Sequence, residues 1–196
     1  MKRKNNPPKE DVKKEIIIKS REIISKMGYK KSSTEEIARS LNKTKGALYH
    51  YFENREEIIK EVLKYEGQLV KEAVSKALVN EKEPDKQLHS FFLIRARQVY
   101  ELWSFYQSVI AEYFNRYSFI MSTLSEYTTE EQTILEGILR EGNKKKVFNV
   151  KNVRLTSRSL IKAMRGYDFF MFQGVRFEDI EDEISETLRI IIKGLA

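Results

Sequence analysis

With 196 residues, 41% of them hydrophobic, the chain is long enough to bury a core, in one domain or in one small and one larger domain. It has no cysteine, which excludes disulfides and thiolate metal sites, and its two histidines, His50 and His89, lie at no zinc-binding spacing. The net charge of +7 is unevenly placed: residues 1–60 hold 16 Lys and Arg against 9 Asp and Glu, whereas residues 61–196 hold 20 of each. All of the positive excess therefore lies in the N-terminal third, the footprint of a polyanion-binding module joined to a neutral domain. No apolar run approaches membrane-spanning length, and the N-terminus MKRKNNPPKED lacks the apolar centre of a signal peptide. A cytoplasmic protein with no membrane partner is expected.

In chain order, residues 1–8 are basic and Pro-rich with nothing to bury, and read as a disordered arm. Residues 9–27 read as a first helix, with Ile16, Ile17, Ile23, Ile24 and Met27 at helical spacing and Gly28 at its end. Ser33 is placed to cap a second helix, with Glu36 completing a capping box and Ile37, Ala38 and Leu41 on its inner face. Leu41-Asn42-Lys43 interrupts that helix, and Asn suits the left-handed conformation of such a turn. Thr44 then caps a short helix, Lys45 to His50, with Ala47 and Leu48 turned inward, and Asn54 with Glu57 caps the next. Two short helices, the second with a basic and polar outer face, follow the helix-turn-helix plan for the major groove of DNA.

From Asn54 an apolar stripe runs unbroken to about Val79, and Asn80 to Pro84 ends it. Residues 85–117 are crowded with aromatics, and Ser104 is expected to mark a bend between two helices. Phe119 to Gly142 reads as a further helix, with an internal capping box at Thr128 and Glu131 suggesting a break. Lys144, Lys145 and Lys146 read as a solvated loop. The last two helices are expected at Asn152–Gln173 and Glu178–Leu195. Their apolar faces exceed what one core needs, so a self-association surface is expected, including Tyr167, Met171, Ile184, Leu188 and Ile191, the alternative being two ordinary core helices. There is no strand pattern and no internal repeat.

The run Ile37-Ala38, Thr44-x-Gly46-Ala47-Leu48-Tyr49-His50-Tyr51-Phe52, Arg55-Glu56-Glu57-Ile58 resembles the TetR family of bacterial transcriptional regulators, over roughly residues 10 to 60. The chain departs from the family pattern at Asn42, where Gly is usual, and at Lys43, where a small apolar residue is usual.

The residues assign DNA-contact roles to Thr34 and Arg55 near helix N-termini, and to Lys43, Thr44 and Lys45 around the second helix. Gly46 allows either a close approach of the backbone to DNA or close helix packing. Tyr49 and His50 match family positions, and the resemblance implies phosphate contacts for them. The resemblance also implies a small-molecule chamber behind the DNA-binding unit, and a homodimer built on four helices. Candidate chamber residues are Phe92, Arg95, Tyr100, Trp103, Tyr106, Tyr113 and Tyr117, with Arg95 or Arg97 suited to a carboxylate or phosphate and Glu112 to an organic cation. An aromatic stripe at this spacing also builds an ordinary core, and both readings stand.

The fold expected is all-α, an N-terminal three-helix helix-turn-helix domain (9–56, after the 1–8 arm) plus a larger C-terminal helical ligand-binding and dimerisation domain (57–196). The function expected is a ligand-responsive DNA-binding transcriptional regulator, a repressor released from a palindromic operator by a small lipophilic molecule. Its partners are double-stranded DNA, a second copy and that effector, with no cofactor and no enzymatic activity. The alternative is a helical ligand- or partner-binding protein that does not bind an operator.

Overall fold

The computed structural model describes the backbone of residues 8–113 and 117–196, and their side chains except at 29, 30, 103–128, 169 and 172. Among the described residues there are nine α-helices and no strand: α1 (Lys9–Lys31), α2 (Thr34–Ser40), α3 (Lys45–Tyr49), α4 (Arg55–Val79), α5 (Pro84–Tyr113), α6 (Tyr117–Lys144), α7 (Val153–Met164), α8 (Gly166–Phe172) and α9 (Phe177–Leu195). They fall into two compact units, the first of Met1–Glu66 with Phe105–Thr123, the second of Gly67–Ser104 with Leu124–Ala196.

In the first unit, α1 buries Val12, Ile16, Ile17, Ile23 and Ile24, and Ser20 sits fully buried among them with its hydroxyl donating to the Ile16 carbonyl at 2.7 Å. Helical hydrogen bonding persists to Lys31, beyond the end expected at residue 27, but Gly28 itself is not helical. Its φ of 74° and ψ of 166° lie in a region essentially closed to other residues, so the chain kinks there rather than stopping. Within this unit the first half of α4 is tied to α1. Ile58, Ile59 and Val62 are buried, Lys13 pairs with Glu61 at 3.4 Å, and Arg21 pairs with the buried Glu66.

The second unit is built from longer helices than the sequence pattern suggested. α5 runs through Ser104 without interruption, since no Gly or Pro breaks it after Pro84. α6 likewise runs through Thr128, and the expected break is absent. The opposite holds further on: the single helix expected over Asn152–Gln173 is two, divided at Arg165, with the β-carbon-free Gly166 opening α8. Asn152 caps α7, its side chain accepting from the Leu155 N–H at 2.9 Å. The core combines Val74, Leu88, Phe91 and Phe92 with Leu135, Ile138 and Leu139, and with Ile161, Met164, Met171, Phe177, Ile180, Ile184 and Leu188.

Two local devices close the loop after α6. A β-carbon at Gly142 would lie 2.0 Å from the buried Phe148 ring, so only glycine allows the ring to seat there. The Asn143 amide then imitates a backbone pair, donating to the Val150 carbonyl at 2.8 Å and accepting from its N–H at 2.9 Å.

Beside this apolar core lies an ion network. Arg95 on α5 is buried, donating from both terminal nitrogens to the Asp168 carboxylate on α8, at 2.9 and 2.8 Å, and from Nε to Glu131 on α6 at 2.9 Å. Arg165 reaches the other Glu131 oxygen at 2.7 Å. Burial by itself pushes the Glu131 carboxyl up, but the Arg95 and Arg165 guanidiniums outweigh it and hold the group below its ordinary value. A depressed carboxyl stabilises the fold above its unfolded value and loses that contribution as pH falls through the lowered one.

Two outcomes are predicted. Gly142→Ala should destabilise the protein by about 1–3 kcal/mol through overpacking against Phe148, read from the urea midpoint. Urea midpoints followed downward in pH should fall once the ordinary carboxylate range is passed, and Glu131→Gln should remove part of that fall while lowering stability at neutral pH.

Candidate nucleic-acid interface

The turn between α2 and α3 is a complete Schellman motif. Lys43 N–H donates to the Ala38 carbonyl at 2.9 Å and Asn42 N–H to the Arg39 carbonyl at 3.0 Å, with Asn42 at φ 52°. Asn thus occupies the left-handed position at a modest cost, as its place in the sequence predicted. Ser33 caps α2, accepting from the Glu36 N–H at 3.2 Å, while the Glu36 carboxylate pairs with Arg39 at 2.9 Å. Thr44 caps α3, accepting from the Ala47 N–H at 3.2 Å. Leu48 is wholly buried and Phe52 nearly so, which pins the five-residue α3 by its inner side. Asn54 caps α4, accepting from the Glu57 N–H at 2.8 Å.

Thr44, Lys45, Gly46, Tyr49 and His50 consequently share an exposed surface. Tyr49 keeps 41% of its surface open although it is a large aromatic. At Gly46 an added β-carbon would come no closer than 3.9 Å to Thr44 Oγ1, so packing within the chain does not require glycine there. Lys45 Nζ is hydrogen-bonded to Glu35 on α2 and lies 5.9 Å from the centre of the Tyr49 ring. That bond holds the Glu35 carboxyl below its ordinary value and the Lys45 ammonium above its own. Lys43 is half-buried and lies 3.9 Å from Glu15 on α1.

Two candidates at helix N-termini sit differently. Thr34 is only 5% exposed and offers almost no side-chain surface to a phosphate. Arg55 is partly buried, donating to the buried Ser32 hydroxyl at 3.4 Å, so it braces the start of α4 against the α1–α2 connection.

Residues 16–62 match the family described as bacterial regulatory proteins, tetR family. That match spans α2, α3 and the turn between them, so the helix-turn-helix segment is similar to the DNA-binding domain of that family. No curated protein matches the sequence. The fold as a whole is similar to solved structures at low identity. One is a transcriptional regulator from Cytophaga hutchinsonii ATCC 33406, 18% identical, with a TM-score of 0.79 over 93% of this chain and 97% of that one. Another is the TetR family transcriptional regulator PfmR from Thermus thermophilus, 24% identical, with a TM-score of 0.61 over 92% and 98% of the two chains. A third is the fatty acid degradation regulator FadR from Bacillus halodurans, 16% identical, with a TM-score of 0.65 over 95% and 96%. The match to this domain supports a DNA-binding regulator.

The second unit arranges its candidate residues less as the pattern suggested. Phe92 belongs to the core, edge-on to Phe91 with ring centres 4.9 Å apart. Tyr100 packs on Phe177, ring centres 5.6 Å apart. Arg95 is engaged by Asp168 and Glu131, two partners that no local spacing in the sequence reveals. Arg97 lies over the Phe177 ring and pairs with Glu181 at 3.0 Å. The side chains of Trp103, Tyr106, Glu112, Tyr113 and Tyr117 lie outside the described residues, as does most of the 1–8 arm.

Met171, Ile184 and Leu188, expected at a subunit contact, are completely buried within one chain. Ile191 packs at the edge of that core, and Tyr167 bonds the Thr187 hydroxyl at 2.7 Å. The outward apolar groups on these helices are instead Phe170, 51% exposed, and Ile190, 59% exposed. Among the described residues no helix is long and apolar enough to cross a membrane, and no cluster of His, Asp or Glu suits a metal ion.

Gly46→Ala separates fold from function in this domain. Ala is favoured over Gly in a helix by about 0.8–1 kcal/mol, and none of the described residues obstructs it, so the thermal midpoint should hold or rise. DNA affinity should fall, as measured by fluorescence anisotropy on a labelled duplex, if the added methyl meets the DNA backbone.

Proposed function

We propose that the protein is a homodimeric transcriptional repressor that binds a palindromic operator and leaves it when a small lipophilic effector binds the second unit. The observation that carries the DNA half is the two-sided character of α3. Its Leu48 is fully buried, while Lys45, Gly46, Tyr49 and His50 stand exposed with the Thr44 cap beside them. In this reading Lys45 contacts a base edge or phosphate, Tyr49 and His50 hold phosphates, and Gly46 permits close approach.

The dimer is supported by Ile190 on α9, a large apolar group 59% exposed, and by Phe170 on α8, 51% exposed. Two α3 helices in one dimer would enter successive major grooves, about 34–36 Å apart. α4 supplies an unbroken backbone path, since its first turns belong to the DNA-binding unit and its remainder to the second. An effector that prefers one setting of that helix would change half-site spacing, and only such a preference shifts the equilibrium. A lipophilic effector is favoured by the aromatic content of α5 and by a fold neighbour that regulates fatty acid degradation. Arg95, already matched by two carboxylates, leaves a neutral or weakly charged effector the better fit.

Selection from randomised duplexes tests the reading. Recovery of an inverted repeat bound by two chains supports it, and failure to enrich any sequence overturns it. Ile190→Glu should leave the fold intact, since the side chain is exposed, but shift the native mass from two chains to one and weaken operator binding. A dimer that survives Ile190→Glu and Phe170→Glu together would place the subunit contact elsewhere.

A further inference from the structure

We infer that Glu35 is a specificity-determining residue of the DNA-reading surface, acting by holding Lys45 away from phosphate. The inference rests on the DNA-binding reading and deepens it.

Glu35 and Lys45 are ten positions apart, the first at the start of α2 and the second at the start of α3. The Schellman turn at Asn42 brings them together. Their side chains remain 53% and 48% exposed, so the pair lies on the open surface beside Tyr49 and Gly46. An exposed Lys–Glu pair contributes little to stability, since solvent screens it and two long side chains lose freedom in making it. The fold therefore does not depend on it. Its consequence falls on whatever approaches Lys45.

A phosphate drawn to the Lys45 ammonium also meets the Glu35 carboxylate, and the two anions repel at close range. A base edge imposes no such penalty. Guanine O6 and N7 are uncharged acceptors that Lys45 can reach while Glu35 holds it, and a cytosine amino group can donate to Glu35 itself. The carboxylate thus acts against the sequence-independent, phosphate-driven mode more than against the base-reading mode. Specificity is a difference of affinities, and a group that weakens the wrong complex raises it as surely as one that strengthens the right complex. The Tyr49 ring, with Lys45 Nζ 5.9 Å from its centre, gives the ammonium a second restraint that is compatible with the same pose.

The test uses the full chain, the selected operator and a scrambled duplex of the same length and composition, each titrated over a series of salt concentrations. Four proteins are compared: the wild type, Glu35→Gln, Lys45→Ala and the double variant. Glu35→Gln is expected to tighten binding to the scrambled duplex by about threefold or more, and to steepen its salt dependence by up to about one unit of log slope. Operator affinity should change less, so the ratio of operator to scrambled affinity falls. In the Lys45→Ala background, Glu35→Gln should shift both duplexes equally.

An unchanged ratio in Glu35→Gln would overturn the inference, and so would an equal fall in ratio when Lys45 is absent, because the effect would then be one of net charge alone. A wild type that binds neither duplex would overturn the DNA-binding reading together with this one. Binding of the wild type with an indifferent Glu35 would overturn this inference alone.

Discussion

A five-residue helix does not hold itself together, and the proposed reading surface of this protein is built on one. Helix nucleation is unfavourable by about 4 kcal/mol, from a nucleation constant of roughly 10⁻³. Burying one leucine side chain returns about 1.5–3 kcal/mol, so Leu48 alone falls short and the ends of α3 must contribute. They do so through the Thr44 cap on one side and through Tyr51 and Phe52 on the other, whose N–H groups both donate to the Leu48 carbonyl. The direction in which Lys45, Tyr49 and His50 face is thus set by one buried side chain and its flanking hydrogen bonds. Polar groups gather on that face, but apolar burial aims it.

The second unit combines two kinds of interior. One is an ordinary apolar core of Phe, Leu and Ile from all its helices. The other is the set of Arg95, Glu131, Asp168 and Arg165, which joins α5, α6 and α8 by directional bonds. Desolvating four charged groups costs nearly as much as their attraction returns, so such a set adds little net stability. Its value lies in geometry. The bidentate bond from Arg95 fixes where Asp168 sits, and with it the short α8 that follows the division at Arg165. The same α8 carries Phe170 outward, so the buried bond determines how an exposed apolar group is presented.

What the sequence disclosed follows from the range of the interactions. Signals within four residues were readable: the caps at Ser33, Thr44 and Asn54, the left-handed Asn42, and Pro84 at the start of α5. The same kind of signal misled at Thr128 and Ser104, where local capping or bending preference yielded to the packing of long helices. Interactions that span the chain left no trace. Nothing near Arg95 announces Asp168, 73 positions away, and nothing near Lys45 announces Glu35. Apolar periodicity marked Met171, Ile184 and Leu188 as face residues but could not say whether that face meets the chain's own core or a second copy. One fully buried face answers for the first, and the exposed Phe170 and Ile190 were hidden by lying out of phase with it.

The buried ion set also limits how this sequence can change over time. It contains two cations and two anions, so its charge sums to zero while each member is needed to balance the others. A single replacement leaves an uncompensated charge in a largely desolvated site, which a marginally stable protein tolerates poorly. Passage to an apolar version requires the loss of an arginine and a carboxylate together, on helices far apart in the chain. Related sequences should therefore keep Arg95 with Asp168 or lack both, and those that lack both should carry larger apolar residues in their place. Drift at these positions proceeds by paired steps, and the network persists because every route out of it begins with a step down.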